Sequence, residues 1–590
     1  MPCKYKQLLV FLWILTQLTL PHAWAGEASV SVDISGLSSE RLQNVKAVLT
    51  LPPEIVRDGA VEERWLERFG NKVPKMVADA LEPFGLYRSE TTVTIERADE
   101  LTYRLMVNVN PGPQTTVRSL TIKLVGEGLQ EKTLLRAVRD FPLKQGEDLD
   151  HQLYEQGKLA LRLEANNLGY LESTYSTHVI RIDSDEDAAD VELVLETGVQ
   201  FYFGETTFDD ENESFPEEFL RRFVTYREGD IFSHRELHRS RLRFYASDRF
   251  DNVLMVPLMD EKVGRKVPIR VDLATGKRHR LRPGIGYGTN TGARISLSYK
   301  NLKSGEHPHA QLVDLSLAQK TQFFESSYTI PQAGSADNNL IGTVGVRLED
   351  IDAYETQMYY AELEETYGLG RGKVGSLFLR YLYEDGDVGN EDNNVAKLLI
   401  PGVRYFQRAY DDPLNPNSGY QFRVELRGSY DFLVSNLSIG QVIAAGSFML
   451  PITRNLTLHP RIEAATTVKD DDFSDVPPSM RFFVGGDNSV RGYAYKSRGP
   501  EDDNGDVIGG ESLLVGSLEL EYALNERWGL ALFYDAGSAF DVSEEMDIIQ
   551  GAGIGVRRYT PIGPIKLDLA TRVNDSNNNI RIHFSVGFDI

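Results

Sequence analysis

At 590 residues the chain is too long for one ordinary domain. Its 87 acidic and 63 basic side chains leave a formal charge of −24, which argues against nucleic acid as a main partner. One cysteine, Cys3, is present, so a mature chain without residues 1–25 would have neither disulfide nor thiol chemistry. Lys4 and Lys6 precede an apolar run from Leu8 to Leu20, and Ala23-Trp24-Ala25 follows as a small-x-small site. This is the pattern of a secretory signal peptide over residues 1–25. No later segment is apolar enough for a spanning helix, so a place in a membrane would require a closed barrel. A mean hydropathy of −0.31 fits that, because only every second strand residue of a barrel faces lipid.

Residues 26–275 mix helical and strand patterns and repeat at a period of roughly eighty residues. The clearest copy, within 113–198, opens with the alternating strand Val117 to Val125. Helices follow at Glu131 to Phe141 and Gln152 to Asn167, the second started by Asp148 or Asp150 and ended by Gly169. Strands from Leu171 to Ile182 and Ala188 to Glu196 close it. In the copy at 199–275, Phe201 to Phe208 is a strand, Pro216 to Tyr226 and His234 to Ser247 are helices, and two strands end it. There Arg249-Phe250 stands where the second copy has Gly169-Tyr170. The copy at 26–112 is looser, with helices at Ser39 to Leu49 and Glu62 to Leu81 and a turn at Gly85-Leu-Tyr87. A β-α-α-β-β unit, three times over, resembles the POTRA domain. Such a unit leaves an edge strand that can accept an extended segment of another chain.

From 276 to 590 the period is two. Ile295, Leu297 and Tyr299 oppose Arg294, Ser296, Ser298 and Lys300, and the last segment sets Ile582, Phe584, Val586, Phe588 and Ile590 against Arg581, His583, Ser585, Gly587 and Asp589. About 310 residues at about 20 per strand and connection predict a transmembrane antiparallel β-barrel of about sixteen strands. Asp385 to Asn394 and Pro500 to Gly510 are expected as extracellular loops, and Asp411 to Gly419 as a turn.

No catalytic set stands out, and neither enzyme activity, a cofactor nor a metal is expected. Gly368-Leu-Gly-Arg-Gly-Lys373 and Gly551-Ala-Gly-Ile-Gly555 lack the spacing and flanking elements of a phosphate loop. Their glycines are expected to mark strand kinks or close packing. The informative residue is Arg491, in the Gly-rich run Arg481-Phe-Phe-Val-Gly-Gly-Asp-Asn-Ser-Val-Arg-Gly-Tyr493. A guanidinium inside a barrel needs carboxylate partners. Strand alternation puts Glu519, Phe533 and Asp535 on the lumenal face, so a loop folding inward would bring Arg491 to both acids and to the Phe533 ring. Gly485, Gly486 and Gly492 would permit the tight backbone.

Val490-Arg491-Gly492-Tyr493 resembles the lid-loop motif of the Omp85 family of outer-membrane insertion and secretion barrels. Ser517-Leu-Glu519 and Phe533-Tyr-Asp535 resemble the wall motifs that hold its arginine, and Thr560 to Ile565 another family string. Three POTRA-like repeats ahead of the barrel are similar to the TamA branch of that family. The resemblance implies a sixteen-stranded barrel in a Gram-negative outer membrane, with POTRA domains in the periplasm and a weakly paired first and last strand. It also implies unfolded outer-membrane protein and autotransporter clients, outer-membrane lipid around the barrel, and an inner-membrane-anchored partner resembling TamB. On this reading a lateral seam involves Gly284, Gly286, Phe584, Gly587, Phe588 and Ile590, with glycines loosening its register. Ile590 ends the sequence where such strands usually carry an aromatic, and Phe588 is the nearest one. A two-partner secretion transporter and a passive porin-like channel are the alternative readings.

Overall fold

The computed structural model describes residues 28–586, apart from 58, 100, 211–213, 371, 390–393, 412–415, 433, 471, 543–545, 561–564 and 574–579. The expected signal peptide at 1–25, much of the turn at 411–419, and Gly587, Phe588 and Ile590 of the expected seam lie outside those residues. The chain forms two compact units, which divide inside the third repeat. One is built on residues up to Glu205 with Arg227–Glu236 and Leu258–Pro268, the other on Thr206–Tyr226, Leu237–Pro257 and the chain from Ile269 onward.

Three small sheets share one strand order, in which the last strand of each repeat lies in the middle. Thr102–Asn110 runs parallel to Ser29–Ser35 and antiparallel to Glu90–Arg97. Ala188–Glu196 does the same between Thr116–Val125 and Thr174–Asp183. Lys266–Thr275 lies between Phe250–Pro257 and Tyr202–Asp210. The middle strand is where alternation buries most: Tyr103, Leu105, Val107 and Val109 all face the first core. In the second repeat the helix His151–Asn167 covers the sheet with Tyr154, Leu161 and Ala165.

Asp150 caps that helix, its Oδ1 accepting from the N–H groups of Gln152 at 2.7 Å and Leu153 at 3.1 Å. Asp150→Ala should cost about 1 kcal/mol of local stability. Hydrogen exchange over residues 151–167 should quicken about fivefold, with the other repeats unchanged.

The repeats depart from a plain β-α-α-β-β order in two places. The helix expected from Glu62 to Leu81 is two helices, Glu63–Gly70 and Val73–Leu81, and a short hairpin of Val56–Arg57 with Ala60–Val61 precedes them. Pro74 lies in the first turn of the second helix, where a missing N–H costs nothing. The helix expected from Pro216 to Tyr226 stops as Glu217–Arg221. Past that point the Arg222 carbonyl accepts from the Ala336 N–H at 3.0 Å, so it is not spent on a helical bond. The Arg222 guanidinium also donates to the Asn338 carbonyl at 2.6 Å. The third copy's substitute for the glycine turn is shifted by one residue. Gly85 and Gly169 have φ of +75° and +86°, and the left-handed counterpart is Asp248 at +60°, not Arg249. The Asp248 carboxylate meets Lys300 at 2.7 Å and Arg280 at 3.4 Å, while Arg249 donates to the Pro308 carbonyl at 3.0 Å. Two neighbouring residues, Asp248 and Arg249, thus fasten this part of the third repeat to the start of the barrel.

Sixteen antiparallel strands close the barrel, from His279–Gly288 to Ile580–Val586. Leu281, Ile285, Tyr287, Ile295 and Leu297 point outward; Ile285 is 87% exposed, as expected of a side chain meant for lipid. The lumen is polar. Arg404 joins Glu362 and Glu425, each at 2.9 Å, and its guanidinium lies 3.7 Å from the centroid of the Phe378 ring. Asp385 does not start a loop: Lys373–Val388 is strand to its end, laddered to Tyr354–Gly370. Gly368 pairs with Val374 and Gly370 with Lys373 where those strands meet, and Gly370 and Gly372 have positive φ.

Candidate functional site: a loop arginine in the lumen and the seam beside it

The connection between the eleventh strand, Leu456–Lys469, and the twelfth, Ser512–Asn525, enters the barrel. Gly485, Gly486 and Gly492 have φ of +110°, +105° and +100°, a region closed to most side chains. Val484, Val490 and Tyr493 are buried against Leu513, Val515 and Ala539, so apolar packing fixes the loop on either side of Arg491. Tyr493 also lies under Arg572, 4.8 Å from its guanidinium carbon.

Arg491 is 4% exposed. Its Nε donates to Asp535 Oδ2 at 2.7 Å and its Nη2 to Asp535 Oδ1 at 2.9 Å, a bidentate fork. Its Nη1 donates to Glu519 Oε2 at 2.6 Å and to Asp568 Oδ2 at 3.1 Å. The Phe533 ring stacks against the guanidinium, with Cζ 3.5 Å from the ring centroid. Ser517 Oγ donates to Asp535 Oδ1 at 2.6 Å, and the Arg491 backbone N–H gives Asp535 another bond at 3.1 Å. Glu519, Phe533 and Asp535 therefore all surround Arg491.

Two of the five charged groups in this cluster, Arg557 and Asp568, do not stand out in the sequence. Arg557 is 2% exposed, donates to Glu519 Oε1 at 2.8 Å and is paired closely with Asp568. Two guanidiniums thus share three carboxylates, and each cation partly screens the acids around the other. The signal was present in the fourteenth strand, Ile549–Arg558. Counting by two from Gly551 gives Gly553, Gly555 and Arg557 on the lumenal face. A Cβ on Gly551 would strike the Arg491 carbonyl, one on Gly553 the Phe533 ring, and one on Gly555 the Asp568 carboxylate. These glycines make room for the loop and the ion pairs, as close-packing glycines do.

At the seam, the first strand and the last share one ladder pair among the described residues, Gly288 with Ser585. Ten pairs join the first strand to the second, and seven join the fifteenth to the last. Thr289 substitutes for ladder bonds: its Oγ1 accepts from the Phe584 N–H at 2.8 Å, and its own N–H donates to the Phe584 carbonyl at 3.1 Å. Gly284 and Gly286 lie in the first strand opposite Ser296 and Arg294 of the second.

Small β-α-α-β-β-type sheets ahead of a closed sixteen-strand barrel, with a lumenal loop arginine gripped by wall acids, define a membrane barrel that carries soluble domains on its N-terminal side. Residues 286–590 match the Omp85 superfamily domain, and residues 31–111 match POTRA domain TamA domain 1. The chain belongs to the Omp85 superfamily. Its barrel is accordingly an outer-membrane barrel of the Gram-negative type, with periplasmic POTRA domains. It is 22% identical over 445 residues to the outer membrane protein assembly factor BamA of Nitratidesulfovibrio vulgaris, covering 68% of this chain and 53% of that protein. A 123-residue stretch is 32% identical to the chloroplastic outer envelope protein 80 of Arabidopsis thaliana, 19% of this chain and 15% of that one. The chain therefore spans about half the length of the first of these relatives and less of the second. In fold it is similar to the crystal structure of BamA from Haemophilus ducreyi lacking POTRA domains 1–3. The TM-score is 0.55 at 16% identity, covering 80% of this chain and 99% of that one.

Proposed function

We propose that this protein assembles or secretes outer-membrane β-barrel clients, autotransporters among them, by opening the seam between its first and last barrel strands. The observation that carries this is the seam itself, where one ladder pair and the Thr289 side-chain bonds stand in for a full strand pairing among the described residues. An edge held so lightly can exchange its partner for a client strand. The client's N–H and C=O groups are then satisfied as it enters lipid. Nothing in this requires covalent chemistry, so the role is that of an assembly factor and not of an enzyme. The loop packed into the lumen argues against a passive solute channel.

The finer assignment is to the TamA branch, working with an inner-membrane-anchored partner of the TamB kind. Its support is the match of the first repeat to a TamA POTRA model and the recurrence of one strand order in three sheets. The POTRA edge strands offer clients and partner a first point of strand addition.

A disulfide between Gly288→Cys and Ser585→Cys, made in a Cys3→Ser background, tests the mechanism because those residues face each other across the seam. Client assembly in reconstituted membranes should fall to background when the bridge is oxidised and return on reduction. Full assembly with the bridge closed would refute lateral opening.

A further inference from the structure

The inward loop does more than anchor Arg491, because its other end lies on the seam. Asp487 Oδ1 accepts from His583 Nδ1 of the last strand at 2.5 Å. His583 is 3% exposed, and its Nε2 accepts from the Gly492 N–H at 2.9 Å. The two bonds fix one tautomer, with the proton on Nδ1. On the other side of the seam Asn290 sits in the turn at 289–291, between the first and second strands. With its amide oriented so that both ends are satisfied, it meets Asp487 twice at 3.2 Å: Nδ2 donates to the carboxylate and Oδ1 accepts from the backbone N–H. One loop residue thereby holds both strands whose separation would open the barrel.

The backbone is shaped for this approach. Gly486 has a φ of +105°, and a Cβ there would lie 3.1 Å from the Asn290 side-chain amide. A larger residue there would be strained by the positive φ and would crowd the Asn290 amide. Arg491, four positions after Asp487, ties the same loop to acids of the twelfth, thirteenth and fifteenth strands. The loop therefore spans from a fixed anchor in the wall to the two movable edges.

We propose that Asp487, His583 and Asn290 form a clasp by which the inward loop holds the first hairpin against the last strand, so that the seam opens only when the loop lets go. This rests on the lateral-opening reading above. The three act as positioning residues and touch no client. The Arg491 network and the clasp are then two ends of one lever: displacement of residues 486–492 by an incoming segment would free both edges together.

The test places spin labels on Ile295→Cys of the second strand and Ile582→Cys of the last, in a Cys3→Ser background. Both native side chains face outward and belong to no part of the clasp. Interlabel distances are measured in the full-length protein in lipid. Asp487→Ala should raise the open-seam population roughly tenfold, the ratio that loss of about 1.4 kcal/mol of charge-assisted bonding gives. Asn290→Ala should act in the same direction, and it keeps the test available if Asp487→Ala fails to fold. Asp487→Asn retains an oxygen acceptor for both partners without the charge and should recover much of the narrow distribution, which a generally weakened barrel would not do. An unchanged narrow distribution in both alanine variants would overturn the clasp. That result would leave the disulfide test of lateral opening untouched, since the distance measurement involves no client.

Discussion

Arg491→Ala is expected to release the inward loop. The substitution takes the bidentate partner from Asp535, which is fully buried and keeps the Ser517 hydroxyl and the residue-491 backbone N–H, and leaves Arg557 as the guanidinium paired with Glu519 and Asp568. Removing one partner of a buried ion pair costs about 3–5 kcal/mol, mostly because the remaining charge has no partner. A cavity of about 280 Å³ borders the cluster, lined among others by Arg491, Glu519, Arg557 and Asp568, so water can enter and bring the cost to the lower end of that range. The loss should appear as faster proteolytic nicking within residues 470–511 and a lower temperature for loss of the SDS-resistant folded form. Arg491→Lys should recover only part of it. An ammonium keeps the charge but cannot make the bidentate fork to Asp535 while reaching Glu519 and stacking on Phe533. Unchanged protease access in Arg491→Ala would show that the arginine does not brace the loop.

Much of this arrangement is visible in the chain because a barrel is written in a period of two. Leu530, Leu532 and Tyr534 point outward and Phe533 and Asp535 inward, as alternation requires. What alternation cannot supply is which inward residues meet across the lumen, since this depends on strand register. Arg404 reaching Glu362 from two strands away, and Asp568 reaching both Arg491 and Arg557, are contacts of that kind. The seam was harder still. Its glycines, Gly284 and Gly286, are plain in the sequence, but Thr289, Asn290 and His583 are ordinary residues until the turn, the loop and the last strand are set side by side. In the soluble repeats, periodicity located the sheets and the long helix His151–Asn167. It overran where a tertiary bond takes a helical carbonyl, as at Arg222, and where a proline restarts a helix, as at Pro74.

Gly551→Ala should displace the same loop by a different route, and the comparison separates charge from fit. The substitution changes no charge and leaves Arg491, Glu519, Asp535 and Asp568 in place. The new methyl group would fall on the Arg491 carbonyl oxygen, a backbone atom that cannot rotate away, with a Val490 methyl 3.5 Å off. The loop must shift, and a shift of about 1 Å lengthens the bonds from the Arg491 guanidinium to its carboxylates, which now lie at 2.6–3.1 Å. Overpacking of this kind typically costs about 1–3 kcal/mol. Gly551→Ala should therefore show the protease sensitivity of Arg491→Ala in milder form. Combining the two should add little, because once the guanidinium has gone the loop is already free to move from the wall. Additive effects in the double variant would mean that Gly551 and Arg491 act on separate features, and the fourteenth-strand glycines would then owe nothing to the loop.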